Sequence, residues 1–257
     1  MARKKLKWSD MRPSEKRDHV IYLIGQILKW LFVGSMCIFT LYPVVYTLLG
    51  SFKTNAELTL GGNFLPENWQ FNNYVYAFQK LDFGKYFLNS VVLALLTVVF
   101  TLITSSMAAY VISRRDFVGK KLISTAYLLS MFISVGSVAL YPLYTLMSRL
   151  GLTKNMVGLA LMLTGGQAAN IFMISGFING VPKDLDEAAT IDGAGPFRIF
   201  WQIIVPAIKP ILGVIALFAF RQAWNEFVTA QVFTMANPGL KTLSVAVANL
   251  RYSANAE

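Results

Sequence analysis

The sequence contains few charged residues, one histidine and one cysteine. Charged side chains make up 14% of its 257 residues, whereas soluble domains carry about 25%. This argues against an ordinary soluble enzyme, and against a disordered chain, which needs low hydrophobicity and high charge. The single cysteine, Cys37, excludes an intramolecular disulfide. The single histidine, His19, argues against a histidine metal site, and the absence of the H-E-x-x-H and G-x-S-x-G motifs disfavours a membrane enzyme.

Long apolar runs take the place of charge. Hydrophobic residues make up 55% of the chain, and the mean hydropathy is +0.53. Because about 20 apolar residues cross a bilayer as a helix, five segments qualify as spans: 30–52, 86–113, 122–148, 155–182 and 203–232. The first of them is too long to be a signal peptide. The sequence therefore predicts an all-α polytopic membrane protein with five visible transmembrane helices.

Lysine and arginine residues set the predicted orientation. They cluster in the segment before the first span, between the second and third spans, and between the fourth and fifth. These three segments share one side, which the positive-inside rule makes cytoplasmic. We read residues 1–20 as a basic cytoplasmic tail whose charge signals topology, with a specific lipid or nucleic-acid site as the alternative. The opposite loop, residues 53–85, is rich in aromatic residues, which fit an interfacial belt or a contact surface for an external partner.

The loop at residues 180–206 is the most informative segment. Pro182 suits the first position of a helix, and acidic residues follow in what would be the first turn. Gly193 suits a left-handed stop, and Pro196 would open the next helix. We predict a short helix over residues 182–193, with one face made of Val181, Leu185, Ala188 and Ala189. Such a helix could lie on the membrane surface, but it lacks a lysine-rich polar face, so a groove on a soluble partner fits better.

These residues resemble the EAA loop of ABC importer permeases. The resemblance rests on Glu187-Ala188-Ala189, then Gly193, Ile203 and Pro206, and the string from Glu187 to Ala194 is similar to the carbohydrate branch, particularly the smaller permease of maltose-type heterodimers. It extends over most of the chain through shorter segments: Ser51-Phe52-Lys53, Asn73-Tyr74, Asn89-Ser90, Ala109-Tyr110 with Arg114, Pro142-Leu143-Tyr144, Gly151-Leu152 and Trp224-Asn225. On this basis residues 21–257 form the transmembrane domain of a permease.

The resemblance implies a set of partners. Such permeases pair, place their EAA helices in clefts on two cytoplasmic ATPase subunits, and receive solute from an external binding protein. It implies that Glu187 makes polar contacts to the ATPase, that Ala188 and Ala189 allow close packing, and that Gly193 sets the helix corner, with Asp192 completing the coupling set. The phosphate-loop motif is absent, so ATP and Mg are expected on the partner ATPases, with no cofactor or metal on this chain. A bacterial or archaeal plasma membrane is implied as the location.

The family has a sixth span, and the sequence shows none after residues 240–250. We therefore expect that this sequence is a shortened one, with a genuine short form as the alternative. In function, the alternatives to a sugar importer are a permease for peptides or another small solute and a stand-alone channel.

Polar residues within the spans are candidates for the solute pathway. Trp224 and Asn225 are the best pair, because sugars offer an apolar face to aromatic rings and hydroxyls to amides. Asn89, Gln167 and Asn170 are weaker candidates, since amides within a bundle as often join helices. Three ionisable residues interrupt the fifth span: Lys209 could reach the interface, while Arg221 and Glu226 could pair or face water. Pro206 and Pro210 predict a kink there.

Overall fold

The computed structural model describes residues 12–61, 63–133 and 136–254. The described part is almost entirely helical and contains no β-strand, which confirms the predicted fold class. The α-helices are α1 Pro13–Gly50, α2 Asn55–Leu60, α3 Asn72–Lys80, α4 Phe83–Arg114, α5 Lys120–Ser130, α6 Leu140–Arg149, α7 Met156–Leu163, α8 Ala168–Asn179, α9 Asp184–Ile191, α10 Pro196–Ile199, α11 Val205–Ala207, α12 Lys209–Asn225, α13 Val228–Thr234 and α14 Leu243–Ala254.

The chain divides into two compact units, residues 1–80 and 81–257. In the first unit, α1 runs for 38 residues and exposes apolar side chains along its length. It contains residues 30–50 of the first predicted span. It begins at Pro13, so the last part of the predicted basic tail is helical, while residues 1–11 lie outside the described residues. Beyond α1, the Asn73 side-chain amide donates to the carbonyls of Ser51 and Lys53, both at 3.0 Å. This closes the segment after α1 back onto the start of α3.

The second unit is built around α4, a single 32-residue helix that matches the second predicted span. Its buried face divides the core into two clusters. One contains Leu93 and Ala94 with residues of α7, α13 and α14. The other contains Ala109 and Tyr110 with isoleucines of α8, the π-helical turn Phe200–Ile204 and α12. The helices around the candidate site are therefore positioned by packing against α4.

The later predicted spans are not straight helices. The third, 122–148, is divided into α5 and α6, because the intervening residues include β-branched side chains, serines and Gly136, which are poor helix formers. The fourth is the pair α7 and α8, which bend by 67° at a break containing Gly166 in a left-handed conformation. The fifth is α10–α11 with α12, bent by 83° at Ile208. Two described helices are thus long and apolar enough to cross a membrane, or four if each bent pair is one span.

The kink predicted from Pro206 and Pro210 is therefore present. Pro206 lacks the N–H that would bond back into the preceding turn, and Pro210 lies in the first turn of α12, where no such bond is needed. The stretch beyond the fifth span, 240–250, contains most of α14, whose Val245 and Ala246 are buried against the core.

Candidate functional site

The helix predicted over 182–193 is present but shorter. It is α9, which begins at Asp184, because Lys183 serves as the N-cap and its carbonyl accepts from the backbone N–H groups of Asp186 and Glu187. Pro182 lies in the loop before the helix and not in its first turn, which corrects the prediction. Asp184, Asp186 and Glu187 do occupy the first turn, where the helix dipole favours negative charge.

Gly193 ends α9 in the left-handed conformation that the sequence predicts, with φ of +80°. The Ala194 N–H bonds to the Ala189 carbonyl at 2.9 Å, and the Gly193 N–H to the Thr190 carbonyl at 3.0 Å. This pair of bonds is the Schellman arrangement for a helix end. Three residues after Gly193, Pro196 begins α10, also as predicted, and Gly195 is its N-cap. The corner between α9 and the helices that follow is therefore fixed by backbone hydrogen bonds.

The predicted apolar face of α9 is split by burial. Val181 and Ala189 pack on the protein's own core, together with Ala194 beyond the corner. Glu187, Ala188 and Asp192 are exposed, and so is Ile191, at 87%. Of the two alanines predicted to face a partner, only Ala188 is thus free to do so. We call the exposed residues Glu187, Ala188 and Ile191 the free face of α9.

Two residues of α4, one turn apart, hold the loop that carries α9. The Arg114 Nε lies 3.0 Å from Asp186 Oδ2, and its Nη2 donates to the Val181 carbonyl at 2.6 Å. The Tyr110 hydroxyl donates to the Pro196 carbonyl at 3.3 Å, and its ring lies on Phe200 with centroids 5.3 Å apart. From the sequence alone, Tyr110 and Arg114 match the permease family but have no predicted role. The sequence signal for the ion pair of Arg114 with Asp186 is a basic residue at the end of one long helix and acidic residues in the first turn of another.

A cavity of about 280 Å³ lies between α9 and the end of α4. Its lining combines Arg114 and Arg115 with Asp186, Glu187, Thr190 and Ile191. Just beyond α4, Lys120 donates a hydrogen bond to Asp116 at 2.9 Å, and this bond lowers the pKa of the Asp116 carboxyl below its ordinary value. This end of the unit is therefore densely charged, unlike the spans.

The predicted pathway residues do not converge on one site. Trp224 is half-buried, stacked on Phe220 and edge-on to Phe87. Asn225 is exposed at the end of α12, with its amide bonded to the Arg221 carbonyl at 2.8 Å. Asn89 donates to the carbonyls of Gly239 and Lys241, at 3.0 and 2.9 Å, and so joins α4 to the loop before α14.

Gln167 and Asn170 lie at the bend between α7 and α8. Gln167 donates to the Thr164 carbonyl at 2.8 Å and to Thr101 Oγ1 of α4 at 3.4 Å, and Asn170 donates to the Gln167 side-chain oxygen. Like Asn89, these amides have partners within the protein.

The ionisable residues of the fifth span lie at the ends of α12. Lys209 is exposed in its first turn, and Arg221 is exposed near its end. Glu226 follows α12, and its side chain accepts from the Thr229 N–H in the first turn of α13 at 2.8 Å. Within the described residues no ion pair joins Arg221 to Glu226.

The chain is similar in sequence and in structure to known transport proteins. The pattern of a family described as "Binding-protein-dependent transport system inner membrane component" matches residues 101–255. A diacetylchitobiose uptake system permease protein of Streptomyces coelicolor is 33% identical over 74% of this chain and 63% of the relative. A galactooligosaccharides transport system permease protein of Bacillus subtilis is 32% identical over 88% of this chain and 81% of the relative. Among solved structures, a bacterial ABC transporter that imports the acidic polysaccharide alginate matches with a TM-score of 0.73 and 26% identity, over 86% of this chain and 78% of the other.

Proposed function

This chain belongs to the family of inner membrane components of binding-protein-dependent transport systems, and from that premise we propose that it forms half of a pathway for a sugar or oligosaccharide. Members of this family are integral membrane proteins that serve as subunits of transport systems. In our proposal, the other half is a second permease, a different chain, and the N-terminus of this chain lies in the cytoplasm. The curated relatives named above transport oligosaccharides, which favours a carbohydrate over a peptide.

The observation that carries the proposal is the free face of α9. This eight-residue helix contacts its own protein through Asp186 and Ala189. It leaves Glu187, Ala188 and Ile191 exposed, the first and last of them at the cavity beside α4. A small residue between an acid and a large apolar residue suits insertion into a groove of a soluble partner. We propose that each of two cytoplasmic ATPase subunits receives such a helix, one from each permease. In this arrangement Glu187 makes a polar contact to the ATPase subunit, and the small Ala188 lets the two proteins pack closely. A stand-alone channel has no use for this face.

ATP and Mg are proposed to bind on the ATPase subunits and not on this chain, whose sequence has no phosphate loop. The external partner is proposed to be a solute-binding protein, as the family description implies.

For solute contacts, the proposal favours Trp224 and Asn225 over the other amides. All four amides donate hydrogen bonds within the protein, and breaking such a bond to bind solute would cost free energy. The difference is exposure, because Asn89, Gln167 and Asn170 are half-buried. Asn225 is exposed and Trp224 is half-buried beside it.

Native mass spectrometry of the tagged complex, purified gently from its own cells, tests the assembly. We expect a four-chain core of this permease, a second permease and two ATPase subunits. Uptake into proteoliposomes, with a mixture of labelled oligosaccharides and a mixture of labelled tripeptides, then tests the solute class. The chain purifying alone from every mild detergent would contradict the importer proposal, and uptake of tripeptides alone would contradict the carbohydrate assignment.

The corner at Gly193 gives a prediction about coupling. An added Cβ would meet open space, so the cost of substitution comes from the positive φ alone. Gly193→Val should distort the corner, since a β-branched residue in this conformation costs about 2 kcal/mol, and should lower uptake per ATP hydrolysed. Gly193→Asn is the matched control, because asparagine tolerates the left-handed region. Equal uptake per ATP in both variants would show that the corner does not set coupling.

A further inference from the structure

The loop carrying α9 is attached to α4 before, within and after the helix. Val181 precedes α9, Asp186 lies in its first turn, and Pro196 follows the glycine corner. Arg114 contacts the first two and Tyr110 the third. The two α4 residues are four positions apart and so lie on the same side of that helix. Any rigid displacement of α9 therefore acts directly on one turn of α4.

The ion pair in this attachment is mostly buried. The Arg114 side chain is 4% exposed and that of Asp186 is 19% exposed. Removing one partner of a buried pair leaves an uncompensated charge, which is strongly destabilising. The planar guanidinium contacts a carboxylate and a carbonyl at once, a geometry that lysine cannot reproduce.

The chain itself offers a less direct route from α9 into the membrane. That route passes through α10, the π-helical turn Phe200–Ile204 and α11, and then bends by 83° into α12. Breaks of this kind absorb displacement, because π-bulges and prolines are the usual sites of helix kinks. By contrast, α4 is one helix of 32 residues without proline. It is the element best able to carry a displacement along its axis without loss.

The opposite end of α4 is also attached to a distant segment. Asn89 donates to the carbonyls of Gly239 and Lys241, and the Leu243 N–H donates to Ser90 Oγ at 2.8 Å. These bonds hold the start of α14. Asn89 and Arg114 are separated by roughly 38 Å along the helix, at 1.5 Å per residue.

We propose that Arg114 and Tyr110 form a latch that passes movement of α9 to α4, and through α4 to the segment 239–243. The inference rests on the proposed function, since it takes an ATPase to be what moves α9. Arg114 and Tyr110 are positioning residues here and contact neither solute nor ATP. Their role is to keep ATP hydrolysis and solute passage in step.

The first test measures uptake per ATP hydrolysed in the assembled complex in proteoliposomes. We expect Arg114→Lys and Tyr110→Phe to assemble with the ATPases and to lower this ratio by about tenfold, within the usual range of coupling between sites. Arg114→Gln should lower it further. Arg115→Gln is the matched control, because Arg115 is exposed, adjacent and lines the same cavity. If Arg114→Gln does not assemble, the two milder variants decide the matter.

The second test separates transmission from simple support of the loop. Hydrogen exchange in a peptide covering 237–246 is measured with and without a non-hydrolysable ATP analogue. In the wild-type complex we expect the analogue to change the exchange, and in Tyr110→Phe and Arg114→Lys we expect that change to be reduced. The latch proposal is overturned if both variants show the wild-type change in hydrogen exchange and the wild-type ratio of uptake to ATP hydrolysis. Failure of the wild-type chain to bind any ATPase would instead overturn the proposed function.

Discussion

Replacing Ala188 by tryptophan is expected to release the ATPase subunits and to abolish solute uptake. Ala188 is exposed between Glu187 and Ile191 on the free face of α9, so its small size matters only to a partner that approaches closely. An indole in a tight groove should weaken association by about 3 kcal/mol or more, which corresponds to over roughly 100-fold in Kd. Co-purification of ATPase with the tagged permease measures the first effect, and uptake into proteoliposomes the second.

The control for this substitution is Val118→Trp. Val118 is fully exposed in the loop between α4 and α5, at the end of α4 that contacts α9. The same indole there should leave both the bound ATPase and uptake unchanged. Retention of ATPase by Ala188→Trp at the wild-type level would mean that the free face of α9 is not the docking surface.

Gly158→Ala is expected to destabilise the membrane domain itself. A Cβ at this position of α7 would overlap the carbonyl oxygen of Leu152 and lie 2.9 Å from its carbon. Both atoms belong to backbone, which cannot move aside as a side-chain tip can. Overpacking of this kind costs about 3 kcal/mol, which should lower Tm by roughly 6–12 °C in a protein of this size. Thermal unfolding in detergent, followed by intrinsic fluorescence, measures the shift.

Gly176→Ala provides the comparison for that substitution. Gly176 lies in α8, the partner of α7 in the same bent pair, and a Cβ there would meet no other atom within 4 Å. Its Tm should stay the same or rise, because alanine favours the helix by about 1 kcal/mol. A similar loss of Tm in both variants would point to a general intolerance of side chains and not to the contact with Leu152.

The sequence predicted the local features of the site well and its tertiary features less well. The stop at Gly193, the start at Pro196 and the bend near Pro206 all follow from backbone rules that act within a few residues. The split of the α9 face could not be found this way. Periodicity places Val181, Ala188 and Ala189 on one side, but which of them is buried depends on where α8 and α12 pack. The ion pair of Arg114 with Asp186 joins residues 72 positions apart in sequence, beyond the reach of any local pattern.

The divided third span has a related cause. Composition alone suggests a continuous helix over 122–148, because every residue in it is uncharged. Hydropathy measures whether a segment tolerates lipid and does not measure helix propensity, which is low around Gly136. Counting spans from apolar length therefore predicted one long helix where the structure has two shorter ones.

Three hydroxyl groups of α4 have a consequence for how the protein is made. Thr104, Ser105 and Ser106 each donate to a carbonyl four residues earlier in the same helix, so α4 brings these polar groups into lipid already satisfied. Gln167, at the bend between α7 and α8, contacts Thr101 of α4. A ribosome delivers α4 before that bend. The helix whose hydroxyls are satisfied internally is thus made first and can enter lipid alone. The broken spans are made later and can then fold against α4.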